Sequence, residues 1–187
     1  MRRKDDEKEQ RIRKSVITLT LKEGFNGTSI AKIAKMAGVS PATVYIYYEN
    51  KEDMLQDIYL RYSEEVFDYL LSGIRCDMDP AQLIETLIRR YYSYMTHHPE
   101  AFCFVEQFSA CPSMASKCSC ERGMQSIFRW IEKKNSRPLH RRYSDESVSA
   151  ILFYPIKALA ADSRSSEREK ERVLEELIEM IQKAILT

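Results

Sequence analysis

A chain of 187 residues, 44% hydrophobic and 30% charged, is long enough to bury a full core and too apolar to stay disordered. Its formal net charge of +1 hides an asymmetry: residues 1–51 hold 11 Lys and Arg against 6 Asp and Glu, a net of +5, and residues 52–187 hold 18 against 22, a net of −4. The positive surface therefore belongs to the N-terminal quarter, as attraction to nucleic acid requires.

Residues 1–10 form a charged arm. Arg2, Arg3 and Lys4 are either free to meet phosphate or simply solvated. No apolar core comes after the basic start MRRKDDEKEQRIRK, so a signal peptide is not expected. Ile12, Val16 and Leu19 give the 4–3 spacing of a first helix, closed near Gly24, with Phe25 expected as a plug beneath the next two helices.

The stretch from Thr28 to Lys51 carries the densest set of signals. Thr28 or Ser29 can cap a helix whose buried face is Ile30, Ile33, Ala34 and Ala37. Gly38 can end it in the left-handed conformation that glycine enters without a Cβ penalty. Ser40 then serves as a second cap, with Pro41 at the first helical position, where a missing N–H costs nothing. Val39 and Val44 are placed to close a hydrophobic staple. Asn50 can cap the next helix. Helix, tight turn and helix make a helix-turn-helix. Its second helix begins with small residues, Ser40, Pro41, Ala42 and Thr43, at the end such a helix presents to base edges. Tyr45 and Tyr47 are candidates for phosphate hydrogen bonds, as is Lys51, whereas Tyr48 and Val44 face inward. Spacing alone also allows an ordinary helical hairpin with an aromatic core.

The run T-S-I-x-x-I-A-x-x-A-G-V-S-x-A-T-V-Y-x-Y-Y-x-N-K-E-D-M-L resembles the DNA-binding domain of the TetR (tetracycline repressor) family of transcriptional regulators, over about Arg11 to Asp57. The resemblance implies an all-α, dimeric regulator whose divergent C-terminal domain binds a small molecule and releases DNA. It puts base contacts at Pro41, Ala42, Thr43 and Ile46, and phosphate contacts at Thr28 or Ser29, Tyr45, Tyr47 and Lys51. Two positions depart from the family pattern. Thr20 stands where a core aromatic is usual, and Ile46 where a polar or aromatic residue is frequent.

Beyond the head, a linking helix is expected from Lys51 to about Gly73, burying Met54, Leu55, Ile58, Tyr62, Val66, Tyr69 and Leu70. Asp79 and Pro80 open the next, with Leu83, Ile84, Leu87, Ile88, Tyr91, Tyr92 and Met95 repeating every turn, and His97-His98-Pro99 breaks it. Ala101–Phe108 is short and aromatic, and 110–113 reads as a loop. A helix is expected over about 115–134, with Met124, Ile127, Phe128 and Ile131 as its stripe, and 135–142 is a basic linker. Ser144 opens an apolar helix interrupted by Pro155, where a kink is expected. Ser166 and Glu169 form a capping box for the last helix, striped by Val173, Leu174, Leu177, Ile178, Ile181 and Ile185. These last two helices are more apolar than one chain can cover. They point to a two-fold four-helix seam containing Phe153, Val173, Leu174, Leu177, Ile178 and Ile181. A purely intramolecular core is the alternative.

Catalysis is not expected. His97, His98 and His140 fit no metal-ligand spacing, and neither a glycine-rich phosphate loop nor a nucleophile turn is present. An odd count of five cysteines fits a reducing cytoplasm better than a disulfide framework. Cys111, Cys118 and Cys120 invite a metal or redox reading, yet helical geometry sends Cys118 and Cys120 to opposite faces, so no metal is expected. No cofactor is implied. Aromatics and Met in the body suit an apolar or aromatic effector, with Tyr62, Tyr91, Tyr92, Met95, Phe102, Phe108 and Phe128 as candidate lining residues.

The expected architecture is all-α: a three-helix helix-turn-helix domain over residues 1–50, with the linking helix starting to about 57, and a helical ligand-binding and dimerisation domain over 51–187. The expected function is a cytoplasmic, ligand-responsive regulator, a repressor that binds a palindromic operator as a homodimer. The alternative is a helical ligand-binding or interaction dimer that has lost sequence-specific DNA reading.

Overall fold

The computed structural model describes residues 2–75, 77–109, 127 and 143–186, without the side chains of 2–5, Phe25 and Ser109. Among the described residues, every regular element is a helix. In chain order they are α1 (Arg2–Gly27), α2 (Ile30–Ala37), α3 (Pro41–Tyr47), α4 (Lys51–Leu71), α5 (Pro80–His97), α6 (Pro99–Ser109), α7 (Asp145–Ala161) and α8 (Glu167–Leu186). The expected loop at 110–113, the helix over about 115–134 (apart from Ile127, which is helical and buried) and the linker 135–142 lie outside the described residues.

The chain divides into two compact units, Met1–Ser63 with Glu100–Ser119, and Glu64–Pro99 with Cys120–Thr187. The sequence placed the boundary near residue 50, but the head's core extends past it. Met54, Leu55, Ile58 and Tyr59 from α4, and Phe104 and Phe108 from α6, join Ile12, Val16, Ile33, Ala34 and Val44 in one apolar cluster. The start of α4 and an aromatic pair with ring centroids 4.8 Å apart complete the core that α1, α2 and α3 begin.

Local signals account for the head's turns. Gly24 interrupts α1 at φ 73°, ψ 172°. Ser29 caps α2, accepting the Lys32 N–H at 3.3 Å, and Gly38 closes it at φ 65°, ψ 40°. Only glycine takes that conformation without strain. Ser40 caps α3, accepting the Thr43 N–H at 3.2 Å, with Pro41 at the first position. Asn50 accepts the Asp53 N–H at 2.8 Å as α4 begins.

In the second unit, Asp79 and Gln82 form a reciprocal capping box at the start of α5. Ser166 and Glu169 do the same for α8. α7 is capped by Ser144 and stays helical through Pro155. Arg89 of α5 ties down α8: it pairs with Glu85 at 2.8 Å on its own helix, and with Glu175 at 2.6 Å and Glu171 at 3.4 Å across the interface. Arg90 closes the end of α4 from outside. Its Nε donates to the Tyr69 carbonyl at 2.6 Å while the guanidinium lies 4.4 Å from the Tyr69 ring centroid. Gly73 lets it pass, since a Cβ there would meet Arg90 Cδ at 2.8 Å. Between α7 and α8, Asp162 accepts from Ser165 Oγ and the Arg164 N–H, and these bonds pull its carboxyl down to about 2.

Candidate nucleic-acid interface

The helix-turn-helix holds α3 by one side and leaves the other free. Val44 and Tyr48 are buried, and Tyr47 packs half-buried against the same core. Pro41, Ala42, Tyr45 and Ile46 are exposed, Tyr45 by 56% and Ile46 by 78%. Successive residues turn by about 100°, so Ala42 and Ile46 lie within about 20° of the direction opposite Val44. Thr43 and Tyr45 flank them. Thr43 Oγ1 shares a hydrogen bond of 2.9 Å with Ser40 Oγ, so both hydroxyls are engaged in the cap.

Of the expected phosphate-contacting residues, Ser29 is exposed at the start of α2 and Lys51 is half-buried at the start of α4. Thr28 is placed otherwise. It is 2% exposed and its hydroxyl donates to the Gly24 carbonyl at 2.9 Å, so its side chain locks the turn after α1 and is not free for DNA. Two adjacent residues with cap chemistry divide the work: Ser29 caps outward and Thr28 bonds inward.

Among the expected effector-lining residues, Tyr62, Phe102 and Phe108 belong to the first unit, while Tyr91, Tyr92 and Met95 belong to the second. Phe102, Phe108, Tyr91 and Met95 are buried; Tyr62 and Tyr92 are half-buried. Phe128, like Cys111, Cys118 and Cys120, lies outside the described residues. Cys103 is exposed on α6. Among the described residues, no three His, Cys, Asp or Glu are gathered as metal ligands. No helix there is long and apolar enough to cross a membrane.

The expected seam residues divide into two lines. Leu174, Ile178 and Ile181 are buried within the single chain, and Phe153 packs edge-on against Tyr91 at 4.8 Å. These four serve the intrachain core, so a partner cannot reach them without opening it. Val173 and Leu177 are half-buried and continue into exposed Met180 and Ala184, a 4–3–4 stripe along the outside of α8. Exposed Ser147, Ile151, Tyr154, Ala158 and Ala161 repeat 4–3–4–3 on α7. Tyr154 is 69% exposed and Met180 65%. Sequence reasoning missed this second stripe because Ser and Ala carry little hydrophobic signal, although the uncharged heptad spacing was there to be read.

An N-terminal helix-turn-helix with a projecting second helix, in a protein built only of helices where it is described, defines a DNA-binding transcriptional regulator. Residues 17–58 match the family model described as bacterial regulatory proteins, tetR family. Over that segment the chain is similar to the DNA-binding domain of the TetR family.

Its relatives agree. An HTH-type transcriptional regulator of Haemophilus influenzae is 22% identical over 175 residues, 89% of each chain. A fatty acid metabolism regulator protein of Bacillus subtilis is 24% identical over 81 residues, 43% of this chain and 42% of its own. Among solved structures, a TetR family transcription regulator from Marinobacter aquaeolei VT8 shares the fold with a TM-score of 0.79 at 24% identity, covering 99% of this chain and 98% of its own. The FadR regulator of Bacillus subtilis, solved in complex with stearoyl-CoA, has a TM-score of 0.71 at 17% identity, covering 92% and 96%.

Proposed function

We propose that this protein is a homodimeric cytoplasmic repressor that binds a palindromic operator and is released by an apolar or aromatic small molecule. The observation that carries this reading is α3 itself, held by Val44 and Tyr48 with Ala42, Tyr45 and Ile46 projecting. The first compact unit, which carries α1, α2 and α3, acts as the DNA-binding domain, and the second, with α5, α7 and α8, as the effector-binding and dimerisation domain. Pro41, Ala42, Thr43 and Ile46 face base edges; Ser29, Tyr45, Tyr47 and Lys51 hold the backbone.

Dimerisation uses the outer stripes of α7 and α8, where Val173, Leu177 and Met180 meet their symmetry mates together with Ile151 and Tyr154. A two-fold seam is self-complementary, and heptad-spaced apolar residues on two adjacent helices supply it. Of the candidate effector-lining residues, Tyr91, Tyr92 and Met95 lie together on α5 of the second unit, and we place the effector site there. A shared fold with a regulator solved with stearoyl-CoA favours an apolar effector. Such a ligand releases DNA only by binding the released form more tightly than the operator-bound form.

A mobility-shift assay on the DNA upstream of the protein's own gene, followed by footprinting, tests the reading. The expected result is a protected palindrome bound far more tightly than random DNA. Lys51→Ala should weaken binding to all sequences and lower the salt slope by about one. Affinity no higher for upstream than for random DNA would favour a helical ligand-binding protein without sequence reading.

A further inference from the structure

We propose that this regulator reads its operator through thymine methyl groups, with Ala42 and Ile46 as the reading side chains and an A·T pair beneath each in every half-site. The inference rests on the DNA-binding reading above and adds the base it selects.

The chemistry of the exposed face leaves little else. Strong base discrimination in the major groove comes from Arg or Lys on guanine, Asn or Gln on adenine, or a carboxylate on cytosine. Residues 39–48, VSPATVYIYY, contain none of these. The hydroxyls of Ser40 and Thr43 share one hydrogen bond of 2.9 Å, and Ser40 Oγ also accepts the Thr43 N–H; what capacity remains on a hydroxyl serves donor and acceptor edges alike and so selects no base strongly. What projects along the outermost line of α3 is aliphatic: Ala42 and, one turn on, Ile46 at 78% exposure. Among the groups base pairs present in the major groove, the apolar one is the thymine C5-methyl. An isoleucine held in water on a helix pinned from behind gains free energy against such a methyl and loses it against a polar edge.

Spacing makes the inference specific. Four residues of helix rise about 6 Å, against a base step of about 3.4 Å. With α3 along the groove, the two methyls stand about two base steps apart.

The test begins with selection of binding sites from a randomised duplex library by the full-length protein. Half-sites should emerge with A·T pairs at two positions about two steps apart. Each thymine is then replaced by uracil, which removes the methyl and keeps every hydrogen-bonding group. Affinity should fall about fourfold per methyl, the worth of one buried methylene-sized group. Ile46→Ala, a surface change that leaves the melting temperature in place, should abolish uracil sensitivity at one position and retain it at the other. Selected half-sites with G·C at the reading positions, or affinity unmoved by uracil, would overturn the inference and leave operator binding intact. No enriched sequence at all would overturn both.

Discussion

Two buried tyrosines show how differently the two units are built. Tyr94, in the second, gives its hydroxyl to Glu65 at 3.4 Å and sets its ring between Tyr69 and His98, with centroids 5.2 and 4.9 Å away. Tyr48, in the head, buries its hydroxyl without a partner. Burial first, then the charges of Asp57 and Glu9, push its ionisation well above the ordinary phenol range, so it stays neutral. Thr20 and Ser63 bury unpaired hydroxyls as well, and all three residues fall in the first unit. Among the described residues the second unit has none, and it adds the clamps of Arg89 and Arg90. The head is held by caps and a small core, with polar groups left unsatisfied; the body spends its polar groups on joining helices. An unsatisfied buried group costs more than a made bond returns, so the head has stability in reserve that substitution can release.

The sharpest way to break this comparison is to put a charge on each of the two lines of α8. Ile181 is buried in the chain, so Ile181→Glu should unfold the body, at a cost of about 4 kcal/mol or more. Leu177→Glu, on the outer line, should leave the helical signal and melting cooperativity of the monomer in place while light scattering reports loss of the dimer. If Leu177→Glu collapses the fold and Ile181→Glu keeps it, the two faces are assigned the wrong way round.

Next in size is the head's tight turn. Gly38 sits at φ 65°, and an added Cβ would lie 3.4 Å from the Arg11 guanidinium, ordinary contact. Strain is therefore the whole effect. Gly38→Ala should cost about 1–2 kcal/mol in denaturant unfolding. A loss as small as that of a surface alanine would mean the turn relaxes freely.

The tyrosines themselves give a pair of opposite sign. Tyr48→Phe removes an unpaired buried hydroxyl and should stabilise the head by about 1 kcal/mol. Thr20→Val should act the same way, since both side chains are β-branched and only the hydroxyl differs. Tyr94→Phe removes a made bond and should destabilise by about 1 kcal/mol. Thermal melts of the three variants decide it; a loss in Tyr48→Phe would place a bound water at that hydroxyl.

The head was legible in the sequence because its signals are local. Gly38, Ser40, Pro41 and Asn50 each act within four residues of the bond they make, and the structure places all four as read. What escaped depended on distance or on symmetry. Phe104 and Phe108 complete a core begun at Ile12, and nothing near them in the chain announces it. Thr28 and Ser29 have the same cap chemistry, and only packing decides which turns inward. On α8, the doublets Val173–Leu174 and Leu177–Ile178 offer two apolar lines one residue apart. Periodicity shows that both exist, and the position of α5 and α7 decides which is consumed by the chain itself.

The smallest effect concerns the clamp that distinguishes the body. Arg89 holds two oxygens of Glu175 at 2.6 and 2.7 Å, and hydrogen bonds to Glu175 and then Glu85 raise its already high ionisation further. The side chain is still 36% accessible to solvent, so water and salt screen most of that attraction. Its value lies in the geometry: one planar guanidinium spans two helices and three carboxylates, and fork-shaped pairing fixes orientation better than a point charge. Arg89→Ala should cost about 0.5 kcal/mol in low salt, and less as salt rises. Arg89→Lys should recover little of it, because an ammonium cannot serve Glu85 and both oxygens of Glu175 at once. A double-mutant cycle with Glu175→Ala isolates the bond from the loss of packing, and a coupling that persists undiminished at high salt would show the pair to be shielded from solvent and worth more than its exposure implies.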